Sequence, residues 1–348
     1  CFTNGSPYVG SRSMVPAPND HYVLELAGDT WMLANAGSEL RLISNICAHM
    51  KGLIVDPANR KEDRRGNGSR LSCPMHRWAY ALDGSLTHHP NYSTEEIAAK
   101  PSRPCLPTRA LTEWQGLAFL SDSQLTNALA EIPDDVVADL PGATLGLVKV
   151  DTYDRFGWVR FMDNYQEITH VSPFHLTSFA QIVDTSSGVR WVFGDRWSVQ
   201  YAPWRSGPSS RISLEYRAYR DLITELVPGS PGHGAIWAAI YPNLMIERYP
   251  LATVVSSLWP LPGNRCRNVM EYYIPKWVSD LGPETLADVL KVQQKAYDLT
   301  AREDGELCDS TEAGRRMLFE SGVPVIDHPH PELDAGMLHF RAWLHRQM

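Results

Sequence analysis

No stretch of the chain reaches the roughly 18 consecutive apolar residues that a membrane-spanning helix requires. Even Leu117–Leu120 and Val254–Leu261 are short and bounded by polar residues or proline, so no membrane span is expected. Basic charge is in short supply: 32 Lys and Arg stand against 40 Asp and Glu, a formal net charge of -8, which disfavours non-specific nucleic-acid binding. No internal repeat and no low-complexity tract is present. Cysteine is scarce, with six residues at positions 1, 47, 73, 105, 266 and 308. Spacings this unequal do not form the framework of a disulfide-stapled secreted domain, and a cytoplasmic protein is expected. What remains is ordinary globular composition, 43% hydrophobic and 21% charged over 348 residues, long enough for two or three domains with their own cores. The chain begins at Cys1 in text that already reads as domain interior, so residues upstream of it are expected.

From residue 20 to about 120 the chain is a series of short β-prone runs broken by turn residues. Tyr22–Leu26, Trp31–Leu33, Leu40–Ser44, Arg77–Tyr80 and Leu117–Leu120 are expected strands, with Ala81-Leu82-Asp83-Gly84 a turn between two of them. Residues 56–70 contain no apolar pair and read as a solvated loop that carries Arg60, Lys61, Arg64 and Arg65. Proline and acidic residues between 121 and 148 mark a boundary, which divides the chain into domains 1–125 and 126–348. In the second domain Gly157–Met162, Arg190–Phe193, Arg211–Tyr219, Thr253–Leu258 and Arg267–Ile274 are expected strands of an antiparallel sheet. Residues 284–319 form the long helical stretch, with room for a join between two helices, and are expected to pack over that sheet.

Two short loops carry metal-ligand chemistry. Cys47-Ala-His49 and Cys73-Pro-Met-His76 form a C-x-H…C-x-x-H arrangement with 23 residues between His49 and Cys73. Two thiolates and two imidazoles suit one tetrahedral zinc or a two-iron, two-sulfur cluster with both cysteines on one iron. Each loop holds one Cys and one His, which is awkward for a zinc finger and suits a cluster to which each loop gives one ligand per iron. Two imidazoles in place of thiolates raise the potential of such a cluster above that of an all-cysteine one.

A one-electron store implies a consumer, and a second constellation offers one. Residues 163–175 read DNYQEITHVSPFH, with His170 and His175 five apart. On an undistorted helix such residues lie about 140° apart, and Pro173 between them is expected to bend the chain and bring the rings together. Glu167, three before His170, would lie beside it. Two histidines and one carboxylate make the facial triad of a mononuclear iron(II) site with positions open to oxygen. The carboxylate is sought in TAREDGELCDSTEAGRR, in the order Asp304, Glu303, Asp309. Taken singly these residues have plainer readings: the histidines as helix caps or polar core, Asp304 as a solvated helix face. The aromatics Trp191, Phe193, Trp197, Trp204, Trp237, Tyr241 and Tyr249, with Asn243, Met245 and Glu247, are expected pocket walls or sheet core.

The segments NICAHMKGLIVD and SCPMHRWAYALDGSL resemble the cluster-binding loops of the Rieske non-haem iron oxygenases, and DNYQEITHVSPFH and EDGELCDSTEAG resemble their iron-binding segments. Neither cluster loop has the extra cysteine of the respiratory Rieske proteins, and IWAAIYPNLMIERYP and CRNVMEYYIP look like the choline/betaine monooxygenase branch. The resemblance implies an α+β chain: an N-terminal all-β Rieske [2Fe-2S] domain and a C-terminal antiparallel-sheet catalytic domain with covering helices, of helix-grip, START-like type. It implies a [2Fe-2S] cluster on Cys47, His49, Cys73 and His76 and a mononuclear Fe(II) on His170, His175 and Asp304. Glu167, where the family has Asp, would link His170 to His76 of a neighbouring subunit in a homotrimer. The implied activity is that of a terminal oxygenase component, hydroxylating, dihydroxylating or oxidatively demethylating a small organic substrate, with monooxygenation or demethylation favoured over ring dioxygenation. Its electrons would come from an NAD(P)H-dependent reductase, directly or through a ferredoxin. A Rieske-type electron carrier without the second iron and a zinc-stabilised binding module are the competing readings.

Overall fold

The structure is a computed structural model that describes all residues except 1, 3, 4, 57–63, 103, 123, 187, 208–210, 230 and 348. Two compact units are formed, one of Gly5–Thr126 and one built on Asn127–Met348.

The first unit is β-rich. A five-stranded antiparallel sheet runs in the order Arg65–Asn67, Asp20–Leu26, Asp29–Asn35, Leu40–Ser44, Thr108–Arg109. Three-stranded sheets are made by Arg70–Ser72, Ala79–Ala81 and Leu86–His88, and by Tyr8–Ser11, Leu117–Leu120 and Leu111–Trp114. Val23, Met32, Ile43, Leu71, Trp78 and Tyr80 form one core, and Cys47 and Cys73 are buried in it. Part of the expected 56–70 loop is therefore strand, because Arg65–Asn67 pairs with Asp20–Tyr22 and Arg64 reaches Glu25 at 3.1 Å. Arg60 and Lys61 of that stretch lie outside the described residues. Arg77 is not in a strand; it has a φ of 60° and turns the chain before Ala79.

In the second unit seven antiparallel strands lie in the order Thr144–Tyr153, Arg265–Ile274, Thr253–Leu261, Leu244–Arg248, Ala235–Ile240, Trp197–Ala202, Arg190–Phe193. The register sets Gln200, Trp237, Glu247, Val254 and Tyr272 abreast on one face. A single 38-residue helix, Pro283–Glu320, takes the place of the two joined helices, and its Val289, Ala296 and Tyr297 share a core with Trp237, Val254 and Tyr272.

Two expected strands are helices. Gly157–Met162 enters the helix Trp158–Tyr165, which buries Phe161, Met162 and Asp163. Its Trp, Val and Phe are β-prone, but burial at successive helical positions decides, and Asp163 is held bidentately by Arg341 at 3.0 and 2.9 Å. Arg211–Tyr219 runs into the helix Leu214–Leu226, where Ser213 accepts the Tyr216 N–H and Tyr216, Tyr219 and Ile223 are buried. These spacings of three and four residues are helical, whereas LEYRAY read in isolation alternates like a strand. Among the described residues no helix is long and apolar enough to cross a membrane.

Candidate metal centres and active-site cavity

The two cysteine–histidine loops have the same backbone. Cys47 N–H donates to Gly52 carbonyl at 2.9 Å and Lys51 N–H returns to Cys47 carbonyl at 3.0 Å. Cys73 repeats this with Trp78 at 2.8 Å and Arg77 at 3.0 Å. Lys51 and Arg77, at φ 61° and 60°, turn each chain back on itself. The two loops approach closely at Gly52, where a Cβ would meet Met75 Sδ at 2.2 Å and push that exposed side chain aside.

Cys47 and Cys73 are 1% and 2% exposed. Burial pushes the Cys73 thiol up, against the pull of the Met75 and His76 amides. Cys47 Sγ lies 3.2 Å from Tyr80 Oη, which also accepts the Ala48 N–H. The His49 ring stacks on Trp78 at 4.5 Å and meets the His76 ring edge-on at 4.8 Å. Burial, then the neighbouring His76, holds the His49 imidazole below its usual range. Its Nδ1 is buried without a hydrogen-bond partner.

In the second unit His170 and His175 flank one helical turn, Val171–Phe174. Pro173 sits inside that turn, where no helical hydrogen bond is lost, so the expected bend in a longer helix does not occur. The chain simply leaves the turn at His175, and the rings come to 5.1 Å. Asp304, from the middle of the long helix, brings Oδ1 to 3.3 Å from His170 Nε2 and 3.2 Å from His175 Nε2. One donor atom from each of the three lies within 4.8 Å of the others.

Both rings are oriented from behind. His170 Nδ1 bonds Glu167 Oε1, and His175 Nδ1 lies 2.7 Å from Glu303 Oε2, which also accepts Ser178 Oγ at 2.5 Å. Such carboxylates hold the proton on Nδ1 and leave Nε2 to face the shared centre. Glu303, second choice as the third ligand, is thus an orienting group. Asp309 points elsewhere, 3.6 Å from Arg155. Burial opposes charge on both imidazoles, but Asp304 with Glu167 or Glu303 overrides it and lifts each to about 9. The Asp304 carboxyl, although buried, is held well below the usual range by the two histidines. Asn164 Nδ2 donates to Asp304 Oδ1 at 2.8 Å, a contact that only the fold reveals.

A cavity opens on this triad, and an adjoining recess shares Phe161, Tyr165, Phe179, Glu247, Tyr249, Thr300 and Asp304 with it. Of the expected wall, Trp237, Tyr249 and Glu247 line the cavity. Phe193 instead lies against Trp191 and His339, and Tyr241 packs on Phe340 and Trp343. Trp197, Trp204, Asn243 and Met245 are not among the lining residues either. Phe161, Phe179 and Tyr216, from helical segments, were not legible as wall. The buried Glu247 carboxyl is pushed up to about 7 by desolvation, which outweighs the hydrogen bonds from Tyr249 and Tyr297.

Residues 6–107 match the family described as Rieske [2Fe-2S] domain, and residues 144–348 match the ring hydroxylating alpha subunit (catalytic domain). The chain belongs to the Rieske oxygenase alpha subunits. It is 31% identical to putrescine 2-hydroxylase of Ralstonia nicotianae, over all of this chain and 90% of that one. It is 24% identical to the chloroplastic choline monooxygenase of Beta vulgaris, over all of this chain and 72% of that one. A solved quaternary ammonium Rieske monooxygenase superposes with a TM-score of 0.77 at 19% identity, covering 99% of this chain and 89% of that one. The protein is therefore an oxygenase component of monooxygenase type, and its family works with a [2Fe-2S] cluster, a mononuclear iron and a reductase system.

The donors fit both groups. The orphaned His49 Nδ1 needs a partner, and an iron supplies one. Among the described residues the donor group at single-ion spacing is His170, His175 and Asp304. Among the described residues the four loop donors do not form a group at that single-ion spacing, and two thiols with two imidazoles suit a two-iron cluster.

Proposed function

We propose that this chain is the terminal oxygenase of a system that hydroxylates a small aliphatic amine at carbon. The observation that carries the reading is the convergence of His170, His175 and Asp304 on the wall of a cavity that has aromatic and carboxylate residues but no Lys or Arg among its described lining. Such a wall favours an organic cation. The names of the relatives point the same way: putrescine, choline and carnitine all carry a cationic nitrogen.

In this reading Cys47 and Cys73 hold one iron of the cluster, His49 and His76 the other, and His170, His175 and Asp304 the single iron. With both groups bound, the protein supplies the balanced conversion of a C–H bond, O₂, two electrons and two protons into C–OH and water. The chain's own part is positional. Glu167 and Glu303 fix the tautomers of the two histidines, and Asn164 holds Asp304 in place. Phe161, Phe179, Trp237 and Tyr249 exclude water from the cavity. Glu167 accepts three hydrogen bonds, from His170 Nδ1, His170 N–H and Thr169, and so keeps an acceptor site for one more donor. That donor is His76 of a neighbouring copy in a homotrimer; inter-subunit electron transfer is described for the quaternary ammonium enzyme. The electrons come from an NAD(P)H-dependent reductase, directly or through a ferredoxin. Residues 1–125 and 126–348 divide the labour between cluster and chemistry.

The test is product formation by holoenzyme under isotopically heavy O₂, with a reductase and a panel of butane-1,4-diamine, choline, carnitine and benzoate. The reading expects one heavy oxygen in a hydroxylated amine. Labelled product from benzoate, with none from the cations, would overturn it.

A further inference from the structure

Glu247 stands in the interior of the seven-stranded sheet, 5% exposed, between Trp237 and Val254 on the neighbouring strands. Its Oε2 accepts Tyr249 Oη at 2.6 Å, and its Oε1 accepts Tyr297 Oη at 2.8 Å and Ser256 Oγ at 3.4 Å. All three partners are neutral hydroxyls, and no described Lys or Arg pairs with it. A buried carboxylate without a countercharge is costly, and evolution of a sheet core ordinarily fills such a position with an apolar side chain. The cost makes sense if the countercharge arrives with the ligand. Glu247 lines both recesses, as does Asp304, so the carboxylate and the metal site face one space.

The far recess holds a second unmet demand. Gln293 and Tyr219 are 2% and 1% exposed, both line it, and Gln293 Oε1 and Tyr219 Oη have no hydrogen-bond partner. Gln293, Tyr297, Thr300 and Asp304 fall on one stripe of the long helix, so the recess runs along that helix from the metal site past Glu247 to Gln293. Gln293 and Tyr297 are one turn apart, about 6 Å along the axis, a distance that a short alkyl chain spans. A trimethylated nitrogen carries charge but no N–H, and could satisfy neither Gln293 Oε1 nor the open acceptor site on Glu247. A protonated primary amine could.

We propose that Glu247 is the receptor for a protonated primary amine, with Gln293 and Tyr219 receiving a second N–H or O–H donor at the other end of the same ligand. The substrate class is then a short α,ω-diamine or amino alcohol rather than a quaternary ammonium compound. This assignment rests on the oxygenase reading above only for what happens after binding.

Calorimetric titration of the oxidised holoenzyme, which binds without turnover, tests it with butane-1,4-diamine, butylamine and butyltrimethylammonium. The unmodified protein is expected to bind the diamine more tightly than butylamine, and the quaternary ion at least about tenfold more weakly than either. Glu247→Gln should weaken the diamine by about 100-fold, with iron, sulfide and the visible spectrum of the cluster unchanged. Gln293→Leu should weaken the diamine by about tenfold and leave butylamine unaffected. Equal affinity for the quaternary ion, or wild-type diamine affinity in Glu247→Gln, overturns the proposal. The ligand comparison needs no variant to fold. Amine binding without oxygen consumption would sink the oxygenase reading and leave the receptor standing; oxygen consumption with an uncharged substrate and no amine binding would do the reverse.

Discussion

Replacing Glu303 by Ala isolates the group that orients His175. The His175 side chain is 2% exposed and its Nδ1 lies 2.7 Å from Glu303 Oε2. Without that acceptor the Nδ1 proton is buried and unpaired, at a cost of about 1–3 kcal/mol. The imidazole escapes the cost by moving its proton to Nε2, the nitrogen that faces Asp304, and a protonated Nε2 cannot ligate. Either route charges the penalty to metal binding, and at about 1.4 kcal/mol per decade it corresponds to roughly 5- to 150-fold in iron affinity. Glu303→Gln keeps the volume and an acceptor oxygen and should lose less, about threefold to tenfold. The assay is anaerobic Fe(II) titration against a competing chelator, with acid-labile sulfide as the internal control on the cluster. Wild-type iron affinity in Glu303→Ala would refute the orienting role. Complete loss of iron binding in Glu303→Gln as well would make Glu303 itself a ligand.

Three further outcomes are expected. Glu167→Gln should keep both metal centres loaded and slow electron transfer between them by at least about tenfold in single-turnover measurements, since it removes the charge that steadies His170; unchanged transfer would contradict the coupling role. Tyr80→Phe should lower the cluster's reduction potential, read by redox titration, because the hydroxyl 3.2 Å from Cys47 Sγ stabilises the more negative reduced state; a potential at or above wild type would contradict it. Arg341→Leu strips the bidentate partner from Asp163, whose side chain is 4% exposed, and should cost about 2–4 kcal/mol in denaturant unfolding, with Arg160 at 3.3 Å left as partial compensation; a loss below about 1 kcal/mol would show that Arg160 suffices.

The metal chemistry was legible because ligands announce themselves by type. Cys47, His49, Cys73 and His76 lie in two short loops, and residue identity with spacing pointed to a cluster before any contact was known. Leu40–Ser44, Leu117–Leu120 and Arg190–Phe193 have the expected bounds, since strands bounded by turn residues carry their own punctuation. Gly157–Met162 reads as a strand because the core that buries Phe161, Met162 and Asp163, and the Arg341 partner of Asp163, 178 positions away, are not displayed by its own residues. The same limit hid Asn164 and the orienting role of Glu303: an acid beside Asp304 on a helix is indistinguishable from a solvated one until His175 is brought to it. Pro173 suggested a bend in a long helix, whereas the local chain makes one turn and stops. The cavity wall is only partly legible: Trp237, Tyr249 and Glu247 are among its expected residues, whereas Phe161, Phe179 and Tyr216 come from separate helical segments that meet it only in three dimensions.

The most direct measurement is iron and acid-labile sulfide per chain after anaerobic reconstitution, on the unmodified protein and on Asp304→Ala. The account predicts three irons and two sulfides for the former, and two irons with two sulfides for the latter. Two irons in the unmodified chain, or three in Asp304→Ala, would contradict a lone iron held by His170, His175 and Asp304.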